Sequence, residues 1–417
     1  DYSYNITAKL ATSAAHFHNK ERVLSETFTI SGWDIRLRDM KRIFNRLALL
    51  GINFLQFMGS RYDFTPSLDS IAMTNNWQNP LFKHYKEYSK YVSGIQYLVA
   101  NTSYDAHTLL FYPMTTVRAT ITPMPINDYQ GDMNFTIIGL VNSLLNLNVP
   151  FEFGFEQVID GSEVENGKLK FAGSEYGVVI LPCTTYLKEE TFHKLQEFAA
   201  TGGRIIAVNG KPEKIIGEQV YDAPDFENAV VYDCYNYEMC GEFAGGFDSY
   251  QKAPMGQFTE CLKNALAGIP ASVADIEPCN GIMSAIRKDD DAYYVIIIND
   301  NDAITPARGE ILLDKPFRAL NTETGDIKPM KAAGKNFEIM LEPYECAVIE
   351  ISDSVENTFC ETCSCNKEEI QLENITFTPA DLNTALPTMW QVRGKAAEDI
   401  IKARRVYNPK RVCDLAN

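Results

Sequence analysis

The 417 residues carry 38 basic and 55 acidic side chains, a formal net charge of −17, with 45% hydrophobic and 11% aromatic content. That length holds about two to four domains and that composition supplies apolar cores, which excludes a disordered chain. So acidic a surface repels a phosphate backbone and excludes nucleic acid as a partner, and no apolar run of about 18 residues marks a membrane span.

The opening residues, DYSYNITAKLATSAAHFHNK, lack the basic-then-apolar layout of a signal peptide. With Asp1 where an initiating Met would stand, the true N-terminus is expected upstream. Ten cysteines scattered over so long a chain read as reduced core thiols rather than a disulfide framework, a lean towards a cytoplasmic compartment. The Asn-x-Ser/Thr triplets at Asn5, Asn101, Asn134 and Asn374 pull the other way only in a eukaryotic source.

The first predicted strand is RVLSETF, residues 22–28. The helix DIRLRDMKRIFNRLALL follows at 34–50, with Met40, Ile43, Phe44, Leu47 and Leu50 on one face, Asp34 as N-cap and Gly51 as stop. The strand INFLQFM comes next, so strand, helix and strand succeed one another with short connections, as in a βαβ unit. After a long loop at 59–80, Tyr85, Tyr88, Tyr91, Val92, Ile95, Leu98 and Val99 recur at helical spacing.

The pattern then restarts: apolar residues at 108–112, a helix from about Asn134 to Leu147, and the strand FEFGF. YGVVILP, the helix KEETFHKLQEFAAT, a Gly202–Gly203 stop and the strand RIIAV complete an alternation that predicts a mostly parallel sheet buried on both faces. From Gly281 the helical period gives way to short strands, IMSAIRK, AYYVIIIN, GEILL, FRALN, FEIML and CAVIEI, separated by turn residues, the pattern of a small antiparallel β-sandwich. The final stretch, from EEIQLENITF to Asn417, completes no recognisable domain.

The runs SETFTISGW, GINFLQFMGSRY and NPLFKHYKEYSKYVSGIQYLV resemble the closing part of the catalytic barrel of α-L-rhamnosidase-like glycoside hydrolases, family 106 and its relatives. The segment EYGVVILPCTTYLKEETFHKLQEFAATGGRIIAV is similar to the amidotransferase-like domain that follows the barrel in several glycosidase families. The resemblance covers roughly residues 9–350 and implies an α/β fold in four stretches. These are the end of a (β/α)8 barrel at 1–105, a flavodoxin-like parallel-sheet domain at 106–275, a β-sandwich at 276–353, and a linker with an incomplete segment at 354–417.

Counting back from the second domain makes the first strand the barrel's seventh, with Glu26 at its C-terminal end, where barrel enzymes place catalytic groups. The resemblance implies that Glu26 is a nucleophile or general base; the alternative is a capping carboxylate or an ion-pair partner for Arg61. Trp33, Tyr62 and His84 are candidates for a sugar-stacking and hydrogen-bonding wall, each with a core or rim alternative. Asp63 is read as a hydroxyl ligand or, since family 106 enzymes are associated with calcium, a calcium ligand, against a solvated loop aspartate.

No EF-hand type calcium loop is present, and no other cofactor is expected. Cys183 stands one strand too early for an amidotransferase nucleophile, and the later position reads Asn209–Gly210, so that domain is expected to be structural or oligomerising. Cys360, Cys363 and Cys365 form a CxxCxC cluster that would hold zinc only if Cys413 or another ligand joined. Two functions stay open: a polysaccharide-cleaving glycosidase whose second carboxylate lies on an absent strand, or a non-catalytic carbohydrate-binding or assembly module.

Overall fold

A computed structural model describes residues 3–28, 31, 35–57, 79–121, 128–226, 229–232, 255–269 and 271–358. The chain separates into a larger unit, Asp1–Glu26, Arg36–Gln56 and Lys86–Cys363, and a smaller one, Thr27–Ile35, Phe57–Tyr85 and Ser364–Asn417. Among its described residues the smaller unit holds an aromatic cluster. Phe57 lies 5.3 Å from Phe28 and stacks on Tyr85 at 5.5 Å, and the Tyr85 hydroxyl accepts the Asn79 side-chain amide at 3.2 Å.

The larger unit opens with α1 (Ser3–Phe17), β1 (Leu24–Thr27), α2 (Leu37–Leu49) and β2 (Phe54–Phe57), the two strands pairing as a two-stranded sheet. The predicted helix of residues 34–50 is α2, which buries Met40, Phe44, Ala48 and Leu49. Its start is not Asp34, which lies outside the described residues. Arg36 is the N-cap, and Asp39 three positions on accepts the Arg36 backbone N–H at 3.4 Å and its guanidinium at 2.8 and 3.0 Å. Gly51 ends the helix as expected, at φ 103, while the Ile52 N–H returns to the Leu47 carbonyl.

Next come α3 (Tyr85–Ala100), β3 (Ser103–Tyr104), β4 (Thr108–Phe111), α4 (Met114–Thr120), α5 (Asp128–Asn146), β5 (Phe151–Gly154) and α6 (Glu156–Asp160). The short strands β6 (Glu163–Glu165), β7 (Lys168–Phe171) and β8 (Ser174–Tyr176) form an antiparallel meander. Beyond it run β9 (Val178–Pro182), β10 (Tyr186–Lys188), α7 (Glu189–Ala200), β11 (Arg204–Val208), β12 (Lys214–Ile216), β13 (Val220–Asp222), β14 (Ala229–Tyr232) and α8 (Met255–Ala265).

Strands β14, β11, β9, β4 and β5 lie side by side in that order, all parallel. Counted along the chain this is the doubly wound order 2-1-3-4-5, whose switch point falls between β4 and β9. The central strands are buried at every position, which explains why VVILP and TLLF show no polar alternation. Two glycines permit the packing. A side chain at Gly203, just past α7, would meet the Phe198 ring at 2.2 Å, and one at Gly139 in α5 would meet the buried Phe258 ring of α8 at 2.4 Å.

Strands β15 (Ala274–Ile276), β16 (Ile282–Lys288), β17 (Tyr293–Asn299), β18 (Thr305–Ile311), β19 (Phe317–Asn321), β20 (Lys331–Ala333), β21 (Asn336–Leu341) and β22 (Cys346–Ile351) make two antiparallel sheets. Their orders are β19-β22-β17-β16-β3 and β15-β18-β21-β20. Ile282, Val295, Ile297 and Ile349 from the first share one apolar core with Ala307, Ile311, Phe337 and Ile339 from the second. Each isoleucine, valine or phenylalanine among them, fully buried, contributes about 1.5–3 kcal/mol relative to exposure. The strand β3, far upstream in sequence, supplies an edge of this sandwich, Tyr104 pairing with Arg287.

Among the described cysteines Cys183, Cys279 and Cys346 form no disulfide and Cys261 in α8 is disulfide-bonded. That bond departs from the expectation of reduced thiols throughout, since disulfides persist in oxidising surroundings. Of the sequons, Asn5 is buried and donates to the Asn142 side chain at 2.8 Å, which leaves it closed to glycosylation. No helix of the described residues is long and apolar enough to cross a membrane.

Candidate functional site

The strand that carries Glu26 begins under a clamp. The Asn53 side chain, at the entrance to β2, accepts the Val23 N–H at 2.8 Å and donates to the Glu21 carbonyl at 2.8 Å, while the Asn53 and Phe54 N–H groups reach the Val23 carbonyl. Along β1 the exposure alternates: Leu24 and Glu26 are exposed, Ser25 is half-buried. Along β2 Phe54 and Gln56 are exposed and Leu55 is half-buried. Leu24 at 48% and Phe54 at 49% exposure are large apolar side chains on strands that a closed parallel barrel would cover.

The Glu26 side chain has no hydrogen bond or ion pair among the described residues. His84, in a short 3-10 turn of the smaller unit, is exposed. Trp33, Tyr62 and Asp63, as well as Arg61, lie outside the described residues, as does the cluster Cys360, Cys363 and Cys365 with Cys413. The described residues hold no group of three or more His, Cys, Asp or Glu side chains arranged to bind a metal ion.

A second polar cluster, which the sequence reading does not single out, sits where α1 covers the edge strand β5. The Ser13 hydroxyl accepts the Phe153 N–H at 3.0 Å, and the Tyr104 hydroxyl is hydrogen-bonded to the Phe151 backbone. Side chains thus close backbone groups that an edge strand would leave open. Between them Glu152, 1% exposed, accepts His16 Nδ1 at 2.9 and 3.0 Å and the Tyr176 hydroxyl. Lys9 stands with its ammonium 3.5 Å above the Tyr104 ring, and Arg287 donates to the Val99 carbonyl and the Thr102 hydroxyl at 2.7 Å each.

Charge placement follows from burial. Burial pushes the Lys9 ammonium down to about 8 against the attraction of Glu152, and brings Arg287 down to about 10. Burial also pushes Glu152 up, but the His16 hydrogen bond and the Lys9 charge outweigh it and hold the carboxyl below its ordinary range. Tyr104 and Tyr176 are raised by burial and by the Glu152 charge, so both remain phenols and Tyr176 donates. With every partner inside the fold, this cluster fastens α1, β5, the meander and the sandwich edge together rather than facing a substrate.

Nearby, Asp105 bonds Lys288 at 2.6 Å and lies 3.5 Å from His107 Nε2. Burial raises the Asp105 carboxyl, yet the hydrogen bonds from His107 and Lys288 prevail and hold it at about 2; Asp105 in turn raises His107. At the opposite end of the parallel sheet, Cys183 after β9 and Asn209 after β11 both take left-handed backbone, φ 43 and 57. Both side chains turn to Thr136 on α5, the Cys183 thiol at 3.4 Å and the Asn209 amide at 2.8 Å.

No protein-family profile matches the chain. It is 24% identical over 233 residues to a protein described as a putative beta-glucuronidase from Formosa agariphila, a match covering 54% of this chain and 18% of that protein. In fold it is similar to a rhamnosidase from Novosphingobium sp. PP1Y, TM-score 0.55 at 14% identity, over 90% of this chain and 34% of that one. It is likewise similar to a GH42 beta-galactosidase from G. stearothermophilus, TM-score 0.51 at 13% identity, over 76% of this chain and 51% of the other. The chain therefore spans under a fifth of that curated relative and about a third of the rhamnosidase, and its mixed parallel and antiparallel α/β architecture is one found in glycoside hydrolases.

Proposed function

We propose that this chain contributes the closing β/α units of a glycoside hydrolase barrel, with Glu26 as one of the two carboxyl groups that cleave the glycosidic bond. The observation that carries the reading is the face of β1. Glu26 is exposed near the strand's C-terminal end, on the side that also exposes Leu24, and β1 is followed by a helix and a second paired strand. Active sites of such barrels are built at that end of the strands.

Hydrolysis needs a proton donor for the leaving oxygen and a second carboxylate that attacks the sugar or activates water. Glu26 serves as the second group, and its partner belongs to strands outside residues 1–417. Trp33, Tyr62 and His84 then offer ring faces and hydrogen bonds to the sugar, and Asp63 a hydroxyl contact or, by the family resemblance, a calcium contact. The parallel-sheet domain is read as an amidotransferase-like module without a nucleophile, because the Cys183 thiol is buried against Thr136 and Asn209 occupies the later turn. It serves as a scaffold or as a contact between copies of the protein.

The substrate class is an oligo- or polysaccharide, with rhamnose or a related deoxy-sugar as the first to try. The test is hydrolysis of a panel of aryl glycosides by the intact protein and by its Glu26→Gln variant. Loss of turnover in a folded variant supports the assignment; undiminished turnover in the variant removes Glu26 from the catalytic pair, and no turnover by the intact protein leaves a carbohydrate-binding or assembly role.

A further inference from the structure

We infer that Asn53 is a positioning residue for Glu26: its side-chain amide sets where the catalytic strand starts, and α2 carries that setting to the β-sandwich. The inference rests on the reading of Glu26 as catalytic. Both ends of the amide are used on the strand leading to Glu26, Oδ1 by the Val23 N–H and Nδ2 by the Glu21 carbonyl, each at 2.8 Å. A pair of opposed bonds on either side of one residue fixes translation along the strand as well as separation from it. Glu26 is three residues further on, about 10 Å along an extended strand, so a slip at Val23 reappears at the carboxylate.

Asn53 is itself held. It follows the last residue of α2 by four positions, and the Leu50 carbonyl just past α2 accepts the Thr12 hydroxyl of α1 at 2.8 Å. On the other side α2 is bound to sandwich turns. Asp300, after β17, takes the Arg42 guanidinium through both oxygens at 2.9 and 2.8 Å and also pairs with Arg46. Asn45 donates to the Tyr344 carbonyl at 3.0 Å, at a residue in left-handed backbone, φ 58, whose ring lies 5.1 and 5.4 Å from Arg38 and Arg42. The route runs from sandwich to α2 to Asn53 to β1, each step a hydrogen bond or a covalent turn.

Displacing a reacting group by about 1 Å lowers turnover by about a hundredfold. In the intact protein, Asn53→Ala is expected to lower kcat on the best aryl glycoside by about 10- to 100-fold with KM changed less than about threefold, because sugar contacts elsewhere persist. Asn53→Asp keeps the acceptor for Val23 but sets a carboxylate oxygen against the Glu21 carbonyl in place of the donor, so its kcat is expected to fall as well; it also serves where the alanine variant folds poorly. Thermal melting is recorded alongside. A lowered Tm with kcat within about twofold of wild type, while Glu26→Gln is inactive, overturns the positioning role and leaves Asn53 a strand fastening. Full activity of Glu26→Gln removes the reading itself, and the inference falls with it.

Discussion

Two glutamates, each on a short β-strand, sit in opposite surroundings. Glu152 lies on the edge strand of the parallel sheet with His16, Tyr176, Lys9 and Arg287 drawn around it and no access to water. Glu26 lies on a two-stranded sheet, exposed beside half-exposed Leu24. The difference teaches that a perturbed, richly partnered carboxylate is not by that fact a catalytic one. Burial inside a closed network spends the group's capacity on structure, whereas a group that must meet a substrate keeps its oxygens free.

The largest effect that would break this contrast is on turnover. Glu26→Gln is expected to reduce kcat on aryl glycosides by at least about a thousandfold while leaving the melting temperature nearly unchanged. Glu152→Gln should do the reverse. It leaves two buried cations without their counter-charge, so urea denaturation is expected to show a loss of about 3–5 kcal/mol, with turnover of the folded fraction preserved. If the two variants exchanged these outcomes, the assignment of roles would be inverted.

Smaller effects sharpen it through pH. Asp105 is held at about 2 in the fold against an ordinary 3.8, so its contribution is complete above pH 4 and is lost as pH falls from 4 towards 2. A shift of that size corresponds to roughly 2 kcal/mol, and Asp105→Asn should flatten that acid limb in denaturation curves taken across the window. Lys9 works in the other direction. Its folded value of about 8 lies below its ordinary 10.5, so below pH 8 the folded state bears the full penalty of a buried charge, and stability rises as pH increases from 8 towards 10. Lys9→Met is therefore expected to hold or raise the melting temperature at pH 7 and to abolish that rise; a large drop at pH 7 would mean that the ammonium over Tyr104 is a net attraction.

The apolar patterns in the sequence led directly to most elements. Helix α2 with its Gly51 stop, β9, α7 with Gly202–Gly203, and the sandwich strands β16, β17, β19, β21 and β22 stand where the apolar pattern placed them, whereas β18 begins at Thr305 rather than Gly309 and β15 and β20 were not read. Helix α1 went unassigned for the converse reason. Its buried face is Asn5, Ala8, Lys9, Thr12, Ser13 and Phe17, so the helical period is there but is carried mostly by polar residues that apolar counting passes over. Nor did the spacing of Ser103–Tyr104 announce a sandwich strand; its partner Arg287 is almost two hundred positions away.

Of the candidate site, only the place of Glu26 in the chain was legible, and its role stays a proposal. Position at the end of a strand before an amphipathic helix pointed to Glu26, and the exposed alternation along β1 and β2 agrees with a face open to solvent. Asn53 was not legible, since an asparagine at the start of a strand has no apolar period and its two bonds reach back thirty residues.

What the sequence by itself determined is therefore the longer apolar elements and their chain order, because those follow from local periodicity, glycine stops and turn residues. What only the tertiary structure decided is which polar side chains are structural and which are free. A hydrogen bond or buried charge depends on the partner that long-range packing delivers, as β5 delivers Glu152 to His16 and leaves Glu26 without such a partner among the described residues.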